Sequence, residues 1–178
     1  MRARFLNPLF AALLLILPAC QAVVTRAVKT TVSPGVTLTG HEKFAVLPFH
    51  VSGYPTESVT TTSQRVANLI ELALLRQGQP VILRAAFQNR LDQLKFEPPE
   101  DMDIPAALLA RKVIGADIII EGTAATAVVG VINSFKEMVY VIDARSGDLL
   151  FMTKGEGDSD TYANVAEDLA AKIKKSIH

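Results

Sequence analysis

Three consecutive isoleucines, Ile118-Ile119-Ile120, constrain this chain more than any other feature. Side chains alternate between the two faces of a strand. A strand that is apolar at three successive positions must therefore be covered on both faces, which marks a central strand between packed layers. We read residues 117–129 as that strand. A tight connection near Gly130 to Ser134 leads to a second strand over 135–143. The turn Ala144-Arg145-Ser146-Gly147 leads to a third over 149–153, extending towards Glu156. Such turns join antiparallel neighbours, so the second half of the chain reads as a meander.

The first half reads differently. Phe44-Ala45-Val46-Leu47-Pro48-Phe49 is a core strand, with Pro48 confined to an edge or a strand end because it has no N–H to donate. Residues 50–61 read as a loop. Val66, Leu69, Ile70, Ala73 and Leu74 share one face of a helix over 63–77, which Gly78 stops. Residues 80–84 read as a short strand. A helix over 85–94 follows, with Phe87, Leu91 and Leu94 inward. Asp103 caps a third helix with Pro105 in its first turn and Gly115 at its end. Asp160 caps a last helix to Ile177, with Val165, Leu169 and Ile173 as its core stripe. The order β-α-β-α-α-β-β-β-α predicts an α/β (α+β) fold. It is one mixed sheet of about five strands covered by about four helices, in a single domain over 44–178.

The N-terminus carries a different signal. Arg2 and Arg4 precede a mostly apolar run from Phe5 to Leu17, which has the layout of a secretory signal. At 13 residues the run is shorter than the roughly 20 that span a bilayer. Leu17-Pro18-Ala19-Cys20 resembles the bacterial lipobox. That resemblance implies cleavage of residues 1–19 and acylation of Cys20, with palmitate or a similar chain. Gln21, in place of Asp after the cysteine, implies by similarity to known sorting patterns an outer-membrane location with the domain facing the periplasm. Residues 20–43 show no helical period and contain the turn Ser33-Pro34-Gly35. They read as a flexible tether, with residues 36–39 able to pair as a short edge strand. Such a coil reaches about 25–30 Å on average and roughly 80 Å fully stretched.

Composition narrows the function. Of the 18 Lys and Arg, Arg2 and Arg4 leave with the signal, so the remainder carries a net charge of about −2 against 18 Asp and Glu. Without a basic run, nucleic acid is not an expected partner. Cys20 is the only cysteine, which excludes an intrachain disulfide and, once acylated, a thiol nucleophile.

Three segments resemble a known superfamily. They are Lys43-Phe44-Ala45-Val46-Leu47-Pro48-Phe49, Gly115-Ala116-Asp117-Ile118-Ile119-Ile120-Glu121-Gly122 and Val141-Ile142-Asp143-Ala144-Arg145-Ser146-Gly147-Asp148-Leu149-Leu150. Together they are similar to the envelope lipoproteins that include the curli-secretion channel lipoprotein CsgG and the penicillin-binding-protein activator LpoB, and to the N-terminal domain of TolB. The likeness covers roughly residues 42–177. It implies a lipid-anchored domain that binds or helps assemble other cell-envelope proteins, possible homo-oligomers included. The curli channel adds two membrane-spanning hairpins per subunit. This chain offers one candidate, residues 122–142, which reads better as a soluble central hairpin. The activator has a long disordered tether, whereas the one here is short.

No catalytic constellation stands out. His41, His50 and His178 lack ligand-spaced partners, although His50 follows the first strand and could line a pocket. Glu97, Glu100, Asp101 and Asp103 read as a solvated loop before a helix start. Glu156, Asp158, Asp160, Asn164 and Glu167 fall in a calcium-loop register, but Thr161 stands where that loop needs Gly. Tyr54 and Phe135 are the candidate partner contacts, with folding back onto the domain as the alternative. The expectation is a non-enzymatic lipoprotein with no metal and no cofactor beyond the lipid on Cys20. A secretion-channel subunit and a small-ligand or calcium binder are the alternatives.

Overall fold

The computed structural model describes residues 27–53, 58–129, 132–158 and 160–178. The strands are β1 (Ala27–Val32), β2 (Phe44–Val46), β3 (His50–Gly53), β4 (Ile118–Val129), β5 (Ile132–Asp143) and β6 (Leu149–Gly157). The helices are α1 (Val59–Arg76), α2 (Gln88–Gln93), α3 (Ile104–Ile114) and α4 (Thr161–Lys175). They form one six-stranded mixed sheet in the order β1-β6-β5-β4-β2, with β3 also on β4. β2 and β3 run parallel to β4, and β4, β5, β6 and β1 are successively antiparallel. The predicted fold class stands.

β4 is the central strand its isoleucines require. Ile118 and Ile120 face one core with Phe44, Val46, Val66, Ile70 and Leu74, where α1 and α4 lie. Ile119 faces a second core with Leu47, Phe87, Leu91, Ala107 and Ile142, where α2 and α3 lie. Pro48 separates β2 from β3. Leu47 N–H still reaches the Ile120 carbonyl at 2.8 Å, and Phe49 N–H turns away to Ser63 Oγ at 2.9 Å. The line of pairing on β4 is thus broken where an N–H is missing.

Capping of α3 behaves as read, whereas Asp160, read as the cap of the last helix, holds the N-cap position of α4 without a side-chain cap bond. Asp103 accepts from Ala106 N–H at 3.1 Å, and Gly115 ends α3 in the left-handed region at φ 78°. That conformation is cheap for glycine alone. α1 starts at Val59, earlier than read, because Ser58 Oγ caps it through Thr61 N–H at 3.1 Å.

Four expectations need correction. The tether predicted over 20–43 gives way to ordered structure from Ala27, and the domain therefore starts before residue 44. β1 pairs along β6, and Thr30 Oγ1 bonds Thr153 Oγ1 at 2.8 Å and Asp168 on α4. Leu38 bonds Ser176 and His178, and the Glu42 carboxylate gathers the N–H groups of Thr39 and Gly40 at 2.8 and 2.9 Å. Pairing at 36–39 is a single bridge, Leu38 to Ile177. Secondly, the strand at 80–84 is reduced to one bridge between Val81 and Phe44. Thirdly, residues 50–53, read as loop, pair with β4. Fourthly, the helix at 85–94 is a 3-10 turn (Arg84–Ala86) followed by α2, and Leu94 is exposed.

Gly155 explains how closely α4 lies on the sheet. A Cβ there would fall 2.2 Å from Val165 Cγ2 and 3.1 Å from Thr161 Cγ2. Gly155→Ala should therefore cost about 1–3 kcal/mol by overpacking. Combining it with Val165→Ala should cost less than the two single changes together, by about 0.5 kcal/mol or more. Urea unfolding of the four proteins of this cycle checks both numbers.

Candidate functional site

The residues of the N-terminal motif, Leu17, Pro18, Ala19 and Cys20, lie outside the described residues, as does Tyr54. Phe135 is described. It is half-buried and meets Tyr162 edge to face, with ring centroids 5.4 Å apart. It folds back onto the domain, packed against the first core. His41 and His178 are exposed, and His50 begins β3.

The fold gathers polar groups in two places that the sequence reading passed over. The first is where the 96–103 loop crosses the sheet. Glu121 on β4 and Tyr140 on β5 are cross-strand partners on the face of the second core. Glu121 accepts from Asp103 N–H at 2.8 Å, and Tyr140 O–H donates to Asp101 Oδ1 at 2.7 Å. Two members of the acidic loop are therefore clipped to the sheet, one by its backbone and one by its carboxylate. Burial pushes the Glu121 carboxyl up to about 7, and the nearby Asp103 charge adds to the rise. Burial likewise pushes Tyr140 up to about 12, helped by its bond to Asp101.

The second place is the opposite face. Glu137 lies between Ala124 and Gly155 in the sheet and is 2% exposed. Neither of its oxygens has a hydrogen-bond partner among the described residues, and burial drives its carboxyl well above the usual range. An ionised carboxylate there would be costly, so the neutral acid is the resident form. Both acids were visible in the strand periodicity. Glu137 occupies an inward position in the alternation Phe135, Glu137, Val139, Val141, and Glu121 directly follows the central isoleucines.

The carboxylates of the calcium-loop register are dispersed. Glu156 pairs with Lys136 at 3.1 Å and Glu167 with Arg76 at 3.0 Å, while Asp158 Oδ1 accepts from Asp160 N–H at 3.1 Å. Among the described residues no group of three or more His, Cys, Asp or Glu is placed to hold a metal ion. Nor is any described helix long and apolar enough to cross a membrane.

No protein-family profile and no curated protein matches the sequence. Solved structures do match in fold. The PelC dodecamer from Paraburkholderia phytofirmans aligns over 86% of this chain and 99% of that one, at 17% identity and TM-score 0.52. Lipoprotein GNA1162 from Neisseria meningitidis aligns over 77% and 99%, at 14% identity and TM-score 0.50. LpoB from E. coli aligns over 66% and 58%, at 14% identity and TM-score 0.51. At these identities the likeness establishes a shared fold.

The Glu121 site makes a pH prediction. Its carboxyl sits near 4.5 when unfolded and about 7 when folded. Between those values the folded state holds more protons than the unfolded one, so stability falls as pH rises from about 4.5 to 7. The full loss above pH 7 is roughly 3 kcal/mol for Glu121, and Glu137 acts in the same direction. Glu121→Gln keeps an oxygen for Asp103 N–H and removes the charge. It should melt several degrees higher than the wild type at pH 8 and show a flatter profile between pH 5 and 7. Thermal melts across that range check this.

Proposed function

We propose that this chain is a non-enzymatic lipoprotein of the cell envelope, held by acyl chains on Cys20, whose domain works by binding other envelope proteins. One observation carries the reading. The Leu17-Pro18-Ala19-Cys20 motif precedes a domain whose fold is shared with lipoprotein GNA1162. The polar clusters support binding over catalysis. Glu121 and Tyr140 hold a loop, and Glu137 is sealed in a core. Acyl chains suit a lasting anchor because each buried methylene contributes about 0.8 kcal/mol and several chains together resist release. Gln21 favours the outer membrane, with the domain in the periplasm.

Self-association is a second reading, favoured by the dodecameric state of PelC. The channel reading is weaker. A membrane strand needs about 9–11 residues with a lipid-facing side. Among the described residues, β4 and β5 pair for only three rungs beyond the last rungs of β3 and β6, namely Ala127↔Ser134, Val128↔Asn133 and Val129↔Ile132. The rest of the hairpin is flanked by other strands, and its inner half is buried.

Metabolic labelling with palmitate tests the anchor. Wild-type protein should take up label and fractionate with membranes. Cys20→Ser should lose both label and membrane retention. Equal labelling of the two would defeat the anchor, and so would equal retention. Crosslinking in intact cells should then recover envelope proteins or higher multimers with the wild type.

A further inference from the structure

The sheet face that carries α2 and α3 is only partly covered by them. Towards the start of β1 it is open. There Ala27, Lys29, Thr31, Met152, Lys154 and Glu156 line a cleft of about 370 Å³ on β1 and β6. Lys29 and Lys154 are direct cross-strand partners, and both are exposed. Like charges placed opposite one another destabilise a sheet. Neither lysine has a carboxylate within ion-pair distance among the described residues. The acid of this corner, Glu156, is engaged by Lys136 at 3.1 Å, which leaves the corner net positive. Asp101 and Asp103, which lie outside the cleft lining, are committed to Tyr140 and to the α3 cap. The same corner is where the chain enters the domain. Ala27 is paired with Glu156, and six residues separate it from Cys20, so the two lie at most about 25 Å apart.

We propose that this β1–β6 corner is the surface by which the domain rests on an anionic lipid bilayer, with Lys29 and Lys154 meeting phospholipid phosphates. This rests on the acyl anchor at Cys20. The unneutralised lysine pair supplies the charge complementarity, and the short link keeps it within reach of the headgroups. Attraction of this kind strengthens binding roughly fivefold per lysine and dies away within about a Debye length, so it needs the closeness that the link imposes.

The test uses the full-length acylated protein on phosphatidylcholine vesicles with and without phosphatidylglycerol, and reads acetylation of each lysine by mass spectrometry. Lys29 and Lys154 should react at least about fivefold more slowly on the anionic vesicles, with the difference lost at about 0.5 M salt. Lys174 and Lys175, exposed at the far end of α4, should react alike on both. In Lys29→Gln/Lys154→Gln the melting temperature should not fall, because the change removes two like charges from opposite positions. Equal rates for Lys29 and Lys154 on the two vesicle types overturn the proposal. Protection that ignores lipid charge and grows with protein concentration also overturns it, and assigns the corner to a second copy of the chain. Retention on neutral vesicles reads the anchor separately. Protein that washes off them refutes the anchor, while the lipid-charge dependence at Lys29 and Lys154 still decides the corner.

Discussion

Burial of β4 on both faces divides the apolar residues of this chain into two cores, and the other elements follow from that division. Ile118 and Ile120 need α1 and α4 above them, and Ile119 needs α2 and α3 below. The two layers are built differently. The first core is long and continuous, running from Phe44 through Val139 and Phe151 to Ile173. The second is smaller and borrows small residues, Ala45, Ala107, Ala110, Ala116 and Ala144. A smaller core covers less sheet, which is why the β1–β6 corner of that face stays open.

The elements legible in the sequence were those decided by residues close together in the chain. The Asp103 cap, Pro105 and Gly115 fix α3 by local hydrogen bonding and backbone freedom, so its ends could be read. The central hairpin was legible because its apolar runs are long. β1 was not, because its partner lies more than a hundred residues away. Ala27-Val28-Lys29-Thr30-Thr31-Val32 contains two Thr and a Lys and looks like linker. Its inward residues, Val28 and Thr30, acquire meaning only against Gly155 and Thr153. Leu94 misled for the opposite reason. It fits a helical stripe, yet α2 ends before it and Lys95 turns the chain at φ 51°.

The site was less legible than the fold. Motif reading looks for clustered acids in loops; it weighed Glu97 to Asp103 and the 156–167 register and took neither as a site. The structure disperses the second set among separate partners and uses the first to dock a loop. Glu121 and Glu137, whose carboxyls burial raises furthest, are single residues inside strands. Glu121 earns its place by accepting a backbone N–H that the loop would otherwise leave unmet. Glu137 accepts no bond from the described residues, and its neutral form is what the core tolerates. Strand alternation flags such positions when an acid falls on the inward phase, a signal that depends on knowing which phase is inward.

The incorporation of β1 changes what the anchor reading means. A tether of 23 residues would let a domain drift tens of ångströms from its membrane. With β1 beginning at Ala27, the link from Cys20 shortens to six residues. Its end is also fixed on the sheet, because β1 is bonded along β6 and pinned to α4 through Thr30 and Asp168. A domain held that way has both a restricted height and a preferred corner facing the bilayer. On the proposed anchor, partners within reach are those at the membrane surface, and the helix-covered face of α1 and α4 is turned towards the compartment.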